Sequence, residues 1–529
     1  MLVVTRCERR GAMGPRKRAA RSGGPPRLIM KTPDLVLVNP GSRARIYQSL
    51  GKRLTAVENP VWAGLIATFV RTYGFSVEIV DTEADELTPE QAADRVKALS
   101  PVLAAIVVYG HQPSASTQNM TGASALASAI KNVDPAVPLL MVGGHVAALP
   151  EQTLADEACD FVSCDEGLHT ITDLLAALKA RRDPDLSRVR GLVYRDRGRA
   201  IRNDAAPLVK DLDGEMPGVA WDLLPMGSYR AHNWHCFGDL ERQPYAAIYT
   251  TLGCPYHCSF CCIQAPFKSG ERVMGLRPEA NSYRFWSPAK VVEEIDLLVN
   301  THGVRNIKIA DEMFVLNQRH VVGICDMLIE RGYGLNIWAY ARVDTVKDKM
   351  LDKLKRAGFN WLALGIEAAD DNVLTDVDKR YEVNEVYETV QRIKNAGINI
   401  IANYIFGLPE DTHETMQGTL DLALDLNCEF ANFYSAMAYP GSPLYEEAIR
   451  RGWRLPESWS GYSQHAVDTL PLPTRHVSAA DVLSFRDRAF DTYFRHEPYL
   501  KMVGEKFGEA TLAHIREMTS HTLERKYAR

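Results

Sequence analysis

Four cysteines lie within nine residues near the middle of the chain: Cys254, Cys258, Cys261 and Cys262. The first three follow the spacing Cys-x3-Cys-x2-Cys, and thiolates this close together suit a soft metal ion or an iron–sulfur cluster. A structural zinc ion would need a fourth Cys or His at ordinary finger spacing. Cys262 directly follows Cys261 and does not easily reach the same centre, whereas His257 could supply a fourth ligand. A four-iron cube held by three cysteines would keep one iron open for a substrate or cofactor.

The composition limits the classes of function. A length of 529 residues predicts two to four domains, and 46% hydrophobic with 24% charged residues is typical of globular protein. The net charge of −5 gives no overall signal for nucleic-acid binding. No run of 18 apolar residues predicts a membrane span, and the clustered cysteines do not resemble a secreted disulfide framework. We therefore expect a cytoplasmic protein that binds neither nucleic acid nor membrane.

Residues 1–33 form a basic segment rich in Gly and Pro, a composition typical of disorder. The segment lacks the continuous apolar stretch of a secretory signal. We interpret it as a disordered leader, or as an upstream start with Met30 as the true start, rather than as a nucleic-acid-binding arm.

Residues 34–180 alternate apolar strand segments with amphipathic helices, which predicts a flavodoxin-like, doubly wound α/β domain with a parallel sheet. Ligands of such sheets bind at the carboxyl ends of the strands, where small residues allow close approach to the backbone. The sequence contains no GxGxxG motif, so it gives no positive signal for a dinucleotide site. The candidate binding residues in these loops are Asn39, Pro40, Gly110, His111, Gly143, Gly144 and His145.

Three further regions follow this domain. Residues 181–245 are richer in turns and charge and predict a connector with a short hairpin. Residues 246–445 contain six strand segments separated by helices, which predicts a partial (βα)6 barrel with its site at the C-terminal rim of the strands. Residues 446–529 have mainly helical periodicity and predict a helical C-terminal region.

The motif Cys-x3-Cys-x-Phe-Cys, in which Phe260 is the aromatic residue, resembles the signature of the radical S-adenosylmethionine (SAM) enzymes. The resemblance implies a [4Fe-4S] cluster held by Cys254, Cys258 and Cys261, with SAM bound to the open iron. In that family an electron from the cluster cleaves SAM, and the 5′-deoxyadenosyl radical takes a hydrogen atom from an unactivated carbon. A zinc knuckle remains the alternative.

Positions at later strand ends resemble SAM contacts of that family. "ADEMF" (310–314) stands where the family has an acidic motif, although it departs from the common Gly-Gly-Glu form. The resemblance implies contacts from Asp311 and Glu312 to the amino group of SAM. It also implies cofactor contacts from Arg342, Glu367 and Leu408 of "FGLP". The alternative role of each is a strand-end group that caps the barrel.

A doubly wound domain placed before such a barrel resembles the cobalamin-binding subgroup. "GGHVAALPE" and "CDFVSCDEG" resemble its glycine-rich and acidic elements, which adds Glu166 and Gly167 to the implied cofactor contacts. The Asp-x-His-x-x-Gly motif that supplies a histidine to cobalt is missing, so cobalt would bind without it. His111 or His145 could approach the metal, but the preferred interpretation of each is a loop histidine hydrogen-bonded to the backbone or to corrin side chains. The resemblance implies methyl transfer from methylcobalamin to an sp3 carbon radical.

The loop "NPGSRARIYQSLGKR" and the C-terminal helices resemble phosphonate-methylating members of this subgroup that act in fosfomycin biosynthesis. The resemblance implies a nucleotidyl phosphonate substrate, with methylation at C2 of cytidylyl-2-hydroxyethylphosphonate. An anionic phosphonate favours nearby cations. Arg43, Arg45, Lys52 and Arg53 could supply them, unless they form a solvated loop or contact the corrin phosphate.

Two other functions stay open. One is a cobalamin-binding radical SAM enzyme that catalyses ring contraction or oxidative cyclisation. The other is a non-catalytic corrinoid or metal carrier. A radical enzyme would also need an electron donor such as flavodoxin or ferredoxin, in addition to its small-molecule substrate.

Overall fold

The computed structural model describes residues 32–51, 55–180, 183–238 and 240–528. The predicted leader lies outside the described residues except for its last two positions, and so do Lys52 and Arg53 of the predicted basic loop. No helix among the residues described is long and apolar enough to cross a membrane.

Five parallel strands open the described chain and pair in the order β2–β1–β3–β4–β5, which is the flavodoxin-like order. The strands are β1 (Leu35–Asn39), β2 (Val77–Asp81), β3 (Leu103–Val107), β4 (Leu139–Val142) and β5 (Phe161–Ser163). The helices of this part are α1 (Arg43–Ile46), α2 (Val61–Thr72), α3 (Pro89–Leu99), α4 (Ala115–Val133), α5 (Gly144–Ala148), α6 (Pro150–Asp156) and α7 (Leu168–Ala180).

Alternate residues of each strand pack against opposite layers of helices, so both faces of this sheet are covered. Leu35 and Leu37 of β1 belong to the core that contains α2 and α7. Val36 and Val38 belong to a second core with α3 and α4. The near-continuous apolar strands are the result of burial on both faces, and the predicted doubly wound architecture is confirmed.

The connector contains the predicted hairpin, β6 (Leu192–Asp196) and β7 (Arg199–Arg202), followed by α8 (Leu212–Glu215). The hairpin joins the N-terminal sheet by antiparallel pairing of β6 with β5, so that sheet has seven strands. Further along, Trp234 packs against Trp338 and Trp361 with ring centroids 5.1 and 5.7 Å apart. The connector therefore closes the amino end of the following barrel.

The second sheet is the predicted partial barrel, six parallel strands in the order β15–β14–β13–β12–β11–β8. Its part of the chain contains β8 (Tyr245–Ile248), β9 (Thr251–Leu252), β10 (Arg284–Phe285), β11 (Asn306–Ile309), β12 (Asn336–Arg342), β13 (Phe359–Glu367), β14 (Asn399–Phe406) and β15 (Phe430–Ser435). The helices between them are α9 (Lys268–Val273), α10 (Pro288–His302), α11 (Gln318–Arg331), α12 (Asp348–Arg356), α13 (Asp371–Asp376), α14 (Val383–Asn395) and α15 (His413–Leu426).

The N-terminal domain covers the open edge of this barrel at β8. The Asn59 side chain accepts a hydrogen bond from the Ala247 amide (2.7 Å) and donates one to the Ala247 carbonyl (3.0 Å). Val57 forms an antiparallel bridge with Arg230 of the connector. Because an exposed strand edge presents unpaired backbone groups, these contacts replace a missing neighbouring strand.

The C-terminal region contains α16 (Pro443–Arg451), α17 (Ala479–Phe494) and α18 (Glu497–Ser520). Residues 452–478 have no regular element except a short 3-10 turn, so the region is less helical than its sequence predicts. α17 lies against β15, where the buried Arg486 guanidinium donates to the Phe433 carbonyl at 2.8 Å. The region therefore forms a side wall of the barrel.

Candidate functional site

The cysteine loop leaves β9 at the carboxyl rim of the barrel. Gly253 begins it at φ +87°, and a Cβ there would lie 2.3 Å from the Ser282 carbonyl oxygen. The Cys261 amide donates to the Cys258 carbonyl at 3.0 Å, and the Gln264 side chain donates to the Cys254 carbonyl at 2.5 Å. The fold therefore holds all three predicted ligands in one tightly bonded loop.

The donor set suits an iron–sulfur cluster. Burial raises the pKa of the Cys254 thiol to about 12 and raises that of Cys261 well above its usual value. Thiols in such surroundings ionise only beside a compensating positive charge, which iron supplies.

Two carboxyl groups, those of Asp311 and Glu312, follow β11 and differ in their hydrogen bonds and pKa values. Asp311 accepts hydrogen bonds from the Thr250 amide (2.6 Å) and hydroxyl (2.5 Å), and His320 lies 2.9 Å from that hydroxyl. Burial raises the pKa of Asp311 to about 6. Glu312 is held by its own backbone amide, and burial raises its pKa to about 8. Among the described residues, the Glu312 carboxyl group therefore has no hydrogen-bond partner beyond its own backbone, whereas Asp311 joins two strand ends.

Arg342, at the end of β12, reaches the cysteine loop directly. Its guanidinium Nη1 lies 3.4 Å from the Cys258 sulfur, and its Nε donates to Asp344 at 3.0 Å. The guanidinium carbon also stands 3.9 Å from the centre of the Tyr256 ring. These contacts fix a positive charge against one predicted cluster ligand.

The other two rim candidates are already engaged by neighbours. Glu367 ends β13 at φ +63° and forms a buried ion pair with Lys379. Leu408 is fully buried, its amide donates to Asp411 at 3.0 Å, and its carbonyl accepts from the Asp411 amide at 2.8 Å. Of these groups, the remaining Glu367 oxygen is the one left for a ligand.

A cavity of about 540 Å³ lies between the two sheets. Asn39, Pro40, Gly110 and His111 line it from the N-terminal domain. Strands of the barrel line the opposite side through Lys308, Trp338, Tyr340, Ala363, Ile401, Asn403 and Tyr434. The structure thus brings four predicted residues of the N-terminal edge to a space shared with the barrel interior.

A second, smaller cavity of about 30 Å³ adjoins the cysteine loop. Gly110, Gly144, Cys262, Tyr249 and Glu312 are among its lining residues. It places the Glu312 end of β11 beside the glycine-rich loops of the N-terminal domain. Cys262 thus lines this space, and burial raises the pKa of its thiol to about 12.

The other predicted residues of the N-terminal edge have structural contacts instead. Gly143 has φ +156°, and a Cβ there would lie 2.2 Å from the Val108 carbonyl oxygen. A Cβ on Gly167 would lie equally close to Val142. The buried Glu166 carboxylate pairs with Arg284 of β10 at 2.6 Å. These three residues therefore shape the edge and connect it to the barrel.

Both candidate histidines are held by other partners. The His111 ring has Nε2 2.7 Å from the Asn59 carbonyl and Nδ1 3.2 Å from a Glu58 oxygen. His145 is buried, with Nδ1 3.2 Å from the Thr117 hydroxyl and its ring edge-on to Trp459 at 4.4 Å. Burial lowers the pKa of His145 to about 3. The structure thus gives His111 a neighbour at each ring nitrogen and gives His145 a partner at Nδ1.

Family models match both halves of this arrangement. The B12 binding domain model matches residues 50–175, and the Radical SAM superfamily model matches residues 248–423. Together they cover more than half of the chain. The chain is a cobalamin-dependent radical SAM enzyme. It uses a [4Fe-4S] cluster, SAM and cobalamin, as the sequence predicts.

Curated relatives of this radical SAM enzyme have several activities. An uncharacterized methyltransferase of Pyrococcus horikoshii is 28% identical over 90% of this chain and 96% of the relative. The anaerobic magnesium-protoporphyrin IX monomethyl ester cyclase of Rubrivivax gelatinosus is 27% identical over 76% of this chain and 68% of the relative. The cytidylyl-2-hydroxyethylphosphonate methyltransferase of Streptomyces wedmorensis is 23% identical over 75% and 79%.

Solved structures support the fold of the enzyme. The radical SAM methyltransferase TsrM from Kitasatospora setae, with cobalamin and a [4Fe-4S] cluster bound, matches with a TM-score of 0.64 at 17% identity. The match covers 92% of this chain and 98% of that chain. The cobalamin-dependent SAM radical enzyme OxsB matches with a TM-score of 0.66 at 16% identity, over 93% and 72%.

Sequence reasoning missed the polar residues inside the cavity of this enzyme. Glu58 and Lys308 form an ion pair at 2.9 Å, and Gln112 donates to the Tyr340 hydroxyl at 2.5 Å. A lysine in the buried strand segment "NIKIADE" was the available signal, since lysine is rarely buried without a partner. No local pattern marks Glu58, whose role depends on contact between distant parts of the chain.

Proposed function

We propose that this enzyme is a C-methyltransferase that methylates an unactivated sp3 carbon of a small molecule. The observation that supports this most strongly is the cavity of about 540 Å³, which the cobalamin-side edge and the barrel interior line together. A substrate there meets both domains at once. Proximity of the reacting groups is the main contribution that a protein makes to cofactor-based chemistry.

The cofactors, when bound, supply a hydrogen-abstracting radical from SAM and a transferable methyl group on cobalt. The chain supplies the three cysteine ligands of the cluster. Arg342 places positive charge against Cys258, and Glu312 offers a carboxylate to the amino group of SAM. The aromatic residues of the cavity wall exclude water, which protects a reactive substrate carbon from competing reactions.

A narrower proposal is that the substrate is cytidylyl-2-hydroxyethylphosphonate. The Streptomyces wedmorensis relative supports it, and Arg43 lines the cavity. However, Arg43 is paired with Glu83 at 3.3 Å, and Arg45 is exposed. The cations that remain for a phosphonate, Lys52 and Arg53, lie outside the described residues.

Oxidative cyclisation is the second candidate, because the Rubrivivax gelatinosus relative is a cyclase. The reaction products separate the candidates. Methylation predicts S-adenosylhomocysteine together with 5′-deoxyadenosine, cyclisation predicts 5′-deoxyadenosine without S-adenosylhomocysteine, and a carrier predicts neither.

The test uses full-length protein reconstituted anaerobically with iron, sulfide and cobalamin, and supplied with SAM and a one-electron donor such as reduced flavodoxin. Cytidylyl-2-hydroxyethylphosphonate is then analysed by mass spectrometry for the gain of one methylene. Gain of that mass with both nucleoside products supports the proposal in full. Both nucleoside products with an unchanged phosphonate contradict only the narrower substrate, and 5′-deoxyadenosine alone contradicts methyl transfer.

A further inference from the structure

A buried ionic cluster stands at the barrel side of the large cavity. Glu58 precedes Asn59, whose side chain pairs with the backbone of β8, so Glu58 enters beside the first barrel strand. Its Oε1 accepts hydrogen bonds from the Tyr245 hydroxyl and from the Lys308 ammonium, both at 2.9 Å. Glu58 and Lys308 both line the cavity.

Lys308 has donors to spare. Its side chain is 3% exposed, and Glu58 is the hydrogen-bond acceptor that the structure gives it. The ammonium also stands 4.9 Å from the centre of the Trp338 ring. An ammonium has three N–H donors, and buried donors without acceptors are costly. The remaining donors of Lys308 therefore call for an acceptor on a ligand in the cavity.

The neighbours of Glu58 indicate the kind of acceptor. His111 lies between the Asn59 carbonyl at 2.7 Å and the Glu58 carboxylate at 3.2 Å. Burial lowers the pKa of the neighbouring His232 to about 4, so that ring is neutral. The Lys308 ammonium is therefore the cation whose donors a ligand can use. Its hydrogen bonds to a carboxylate are stronger than those to a neutral carbonyl, because both groups are charged.

Aromatic rings form the wall beside this cluster. Trp338, Tyr340, Phe433 and Tyr434 all line the cavity on the barrel side. Aromatic walls favour a flat or apolar ligand body through large buried contact areas. A single anionic group on such a body would complete the hydrogen bonds of the Lys308 ammonium.

We propose that Lys308 binds the carboxylate of the substrate, which is a monoanion with an aromatic or apolar body. This inference deepens the proposed function and rests on it for the identity of the ligand as substrate. Glu58 is the first carboxylate that the Lys308 ammonium bonds, at 2.9 Å, and the substrate supplies the second.

The test measures binding, which needs no turnover. Full-length protein loaded with the cluster and cobalamin is titrated anaerobically by calorimetry with 2-naphthoate and with its neutral counterpart 2-naphthamide. We expect naphthoate to bind about tenfold or more tightly, the factor expected for a hydrogen bond to a charged group. Equal binding of the two probes overturns the proposal.

Variants assign the preference to Lys308. Lys308→Met should remove it, Lys308→Arg should keep part of it, and Lys353→Met, a lysine paired with Asp326 on another helix, should keep all of it. Glu58→Gln should increase naphthoate affinity, since it removes a negative charge beside the ammonium. A merely structural Glu58 would leave that affinity equal or lower it.

Cofactor content of each variant separates substrate binding from cofactor binding. Iron content and cobalamin retention should be unchanged in Lys308→Arg and Lys308→Met. The proposal would be overturned by two results together: Lys308→Met loses cobalamin, and Lys308→Arg prefers naphthoate only when it retains cobalamin. These results would show that Lys308 binds the corrin. If the enzyme prefers naphthoate but transfers no methyl group, the carboxylate site is supported and only the proposed methyl transfer is contradicted.

Discussion

The carboxyl edge of the N-terminal sheet and the interior of the barrel line one cavity together, but the polar side chains at the carboxyl ends of the two sheets are in opposite states. At the N-terminal edge, Asn39 donates to Asp81 at 2.8 Å, His111 has a neighbour at each ring nitrogen, and His145 Nδ1 lies beside Thr117. At the barrel rim, Cys254, Cys261 and Glu312 have pKa values raised by burial. The rim therefore holds groups that gain from a cofactor, whereas the N-terminal edge is satisfied without one.

The difference teaches how each edge contributes. A rim with uncompensated thiols and a protonated carboxyl group is prepared to form bonds to a metal cluster and a cationic ligand. The N-terminal edge, whose glycines allow close approach and whose asparagine is already hydrogen-bonded, contributes the shape of the cavity wall. The ion pair of Glu367 with Lys379 shows that one rim corner is also satisfied, so position at a strand end alone does not identify a ligand contact.

The largest expected effect tests the bond-forming role of the rim. Cys261→Ala should abolish the cluster and SAM cleavage, because two thiolates do not hold a four-iron cube, while cobalamin binding persists. Cys262→Ala is the matched control and should retain iron. Iron content and 5′-deoxyadenosine are the measurements, and 5′-deoxyadenosine from Cys261→Ala would contradict the assignment.

The next largest effect concerns the buried ion pair of Glu367 and Lys379 at the barrel rim. Lys379→Met should lower the free energy of unfolding by about 3–5 kcal/mol, because it leaves the Glu367 carboxylate buried without its partner. Denaturant unfolding measures the loss. The double variant Lys379→Met/Glu367→Gln should recover much of it, and no recovery would mean that the pair is not the source.

A smaller effect is expected at Glu312. Its pKa of about 8 means that the carboxyl group is mostly protonated below that pH, so pairing with the amino group of SAM requires loss of the proton. SAM affinity should rise from pH 6 to about pH 8 and then level off. Glu312→Gln should weaken SAM binding about tenfold and remove this rise; an unchanged pH profile in the variant would exclude the contact.

The smallest effect tests the satisfied edge. His145→Gln should leave the absorption spectrum of bound cobalamin unchanged, because the ring is already bonded to Thr117 and packed on Trp459. His111→Gln should behave likewise. A shift of the cobalt-sensitive absorption bands in either variant would show that the ring reaches the metal and would remove the contrast between the edges.

Sequence patterns predict the fold well because they record burial. Apolar strands between amphipathic helices predicted both parallel sheets. The resemblance of the cysteine motif to radical SAM enzymes implied the cluster and SAM, and the resemblance of the N-terminal domain implied cobalamin. The site residues named from strand ends remain predictions. The structure supports cofactor contacts more readily for Glu312 and Arg342, which face free space or the cysteine loop, than for Leu408, whose backbone groups are bonded to Asp411.

Features that depend on distant contacts could not be predicted in the same way. The pairing of β6 with β5 and the irregular course of residues 452–478 have no local period. Glu58 looks like any loop glutamate until Asn59 fixes its segment against β8. Tertiary contacts, rather than propensity, decide which charged residues lie inside.

The pairing of Asn59 with Ala247 has a further consequence for how the enzyme can be taken apart. Expressed alone, the radical SAM half would expose the flank of its first strand and lose the acid that neutralises Lys308, so insolubility is the expected outcome. Neither half contains all the residues that line the cavity. Exchanging one half for that of a relative should therefore succeed only when the short segment from Val57 to Pro60 is kept with the barrel that it contacts.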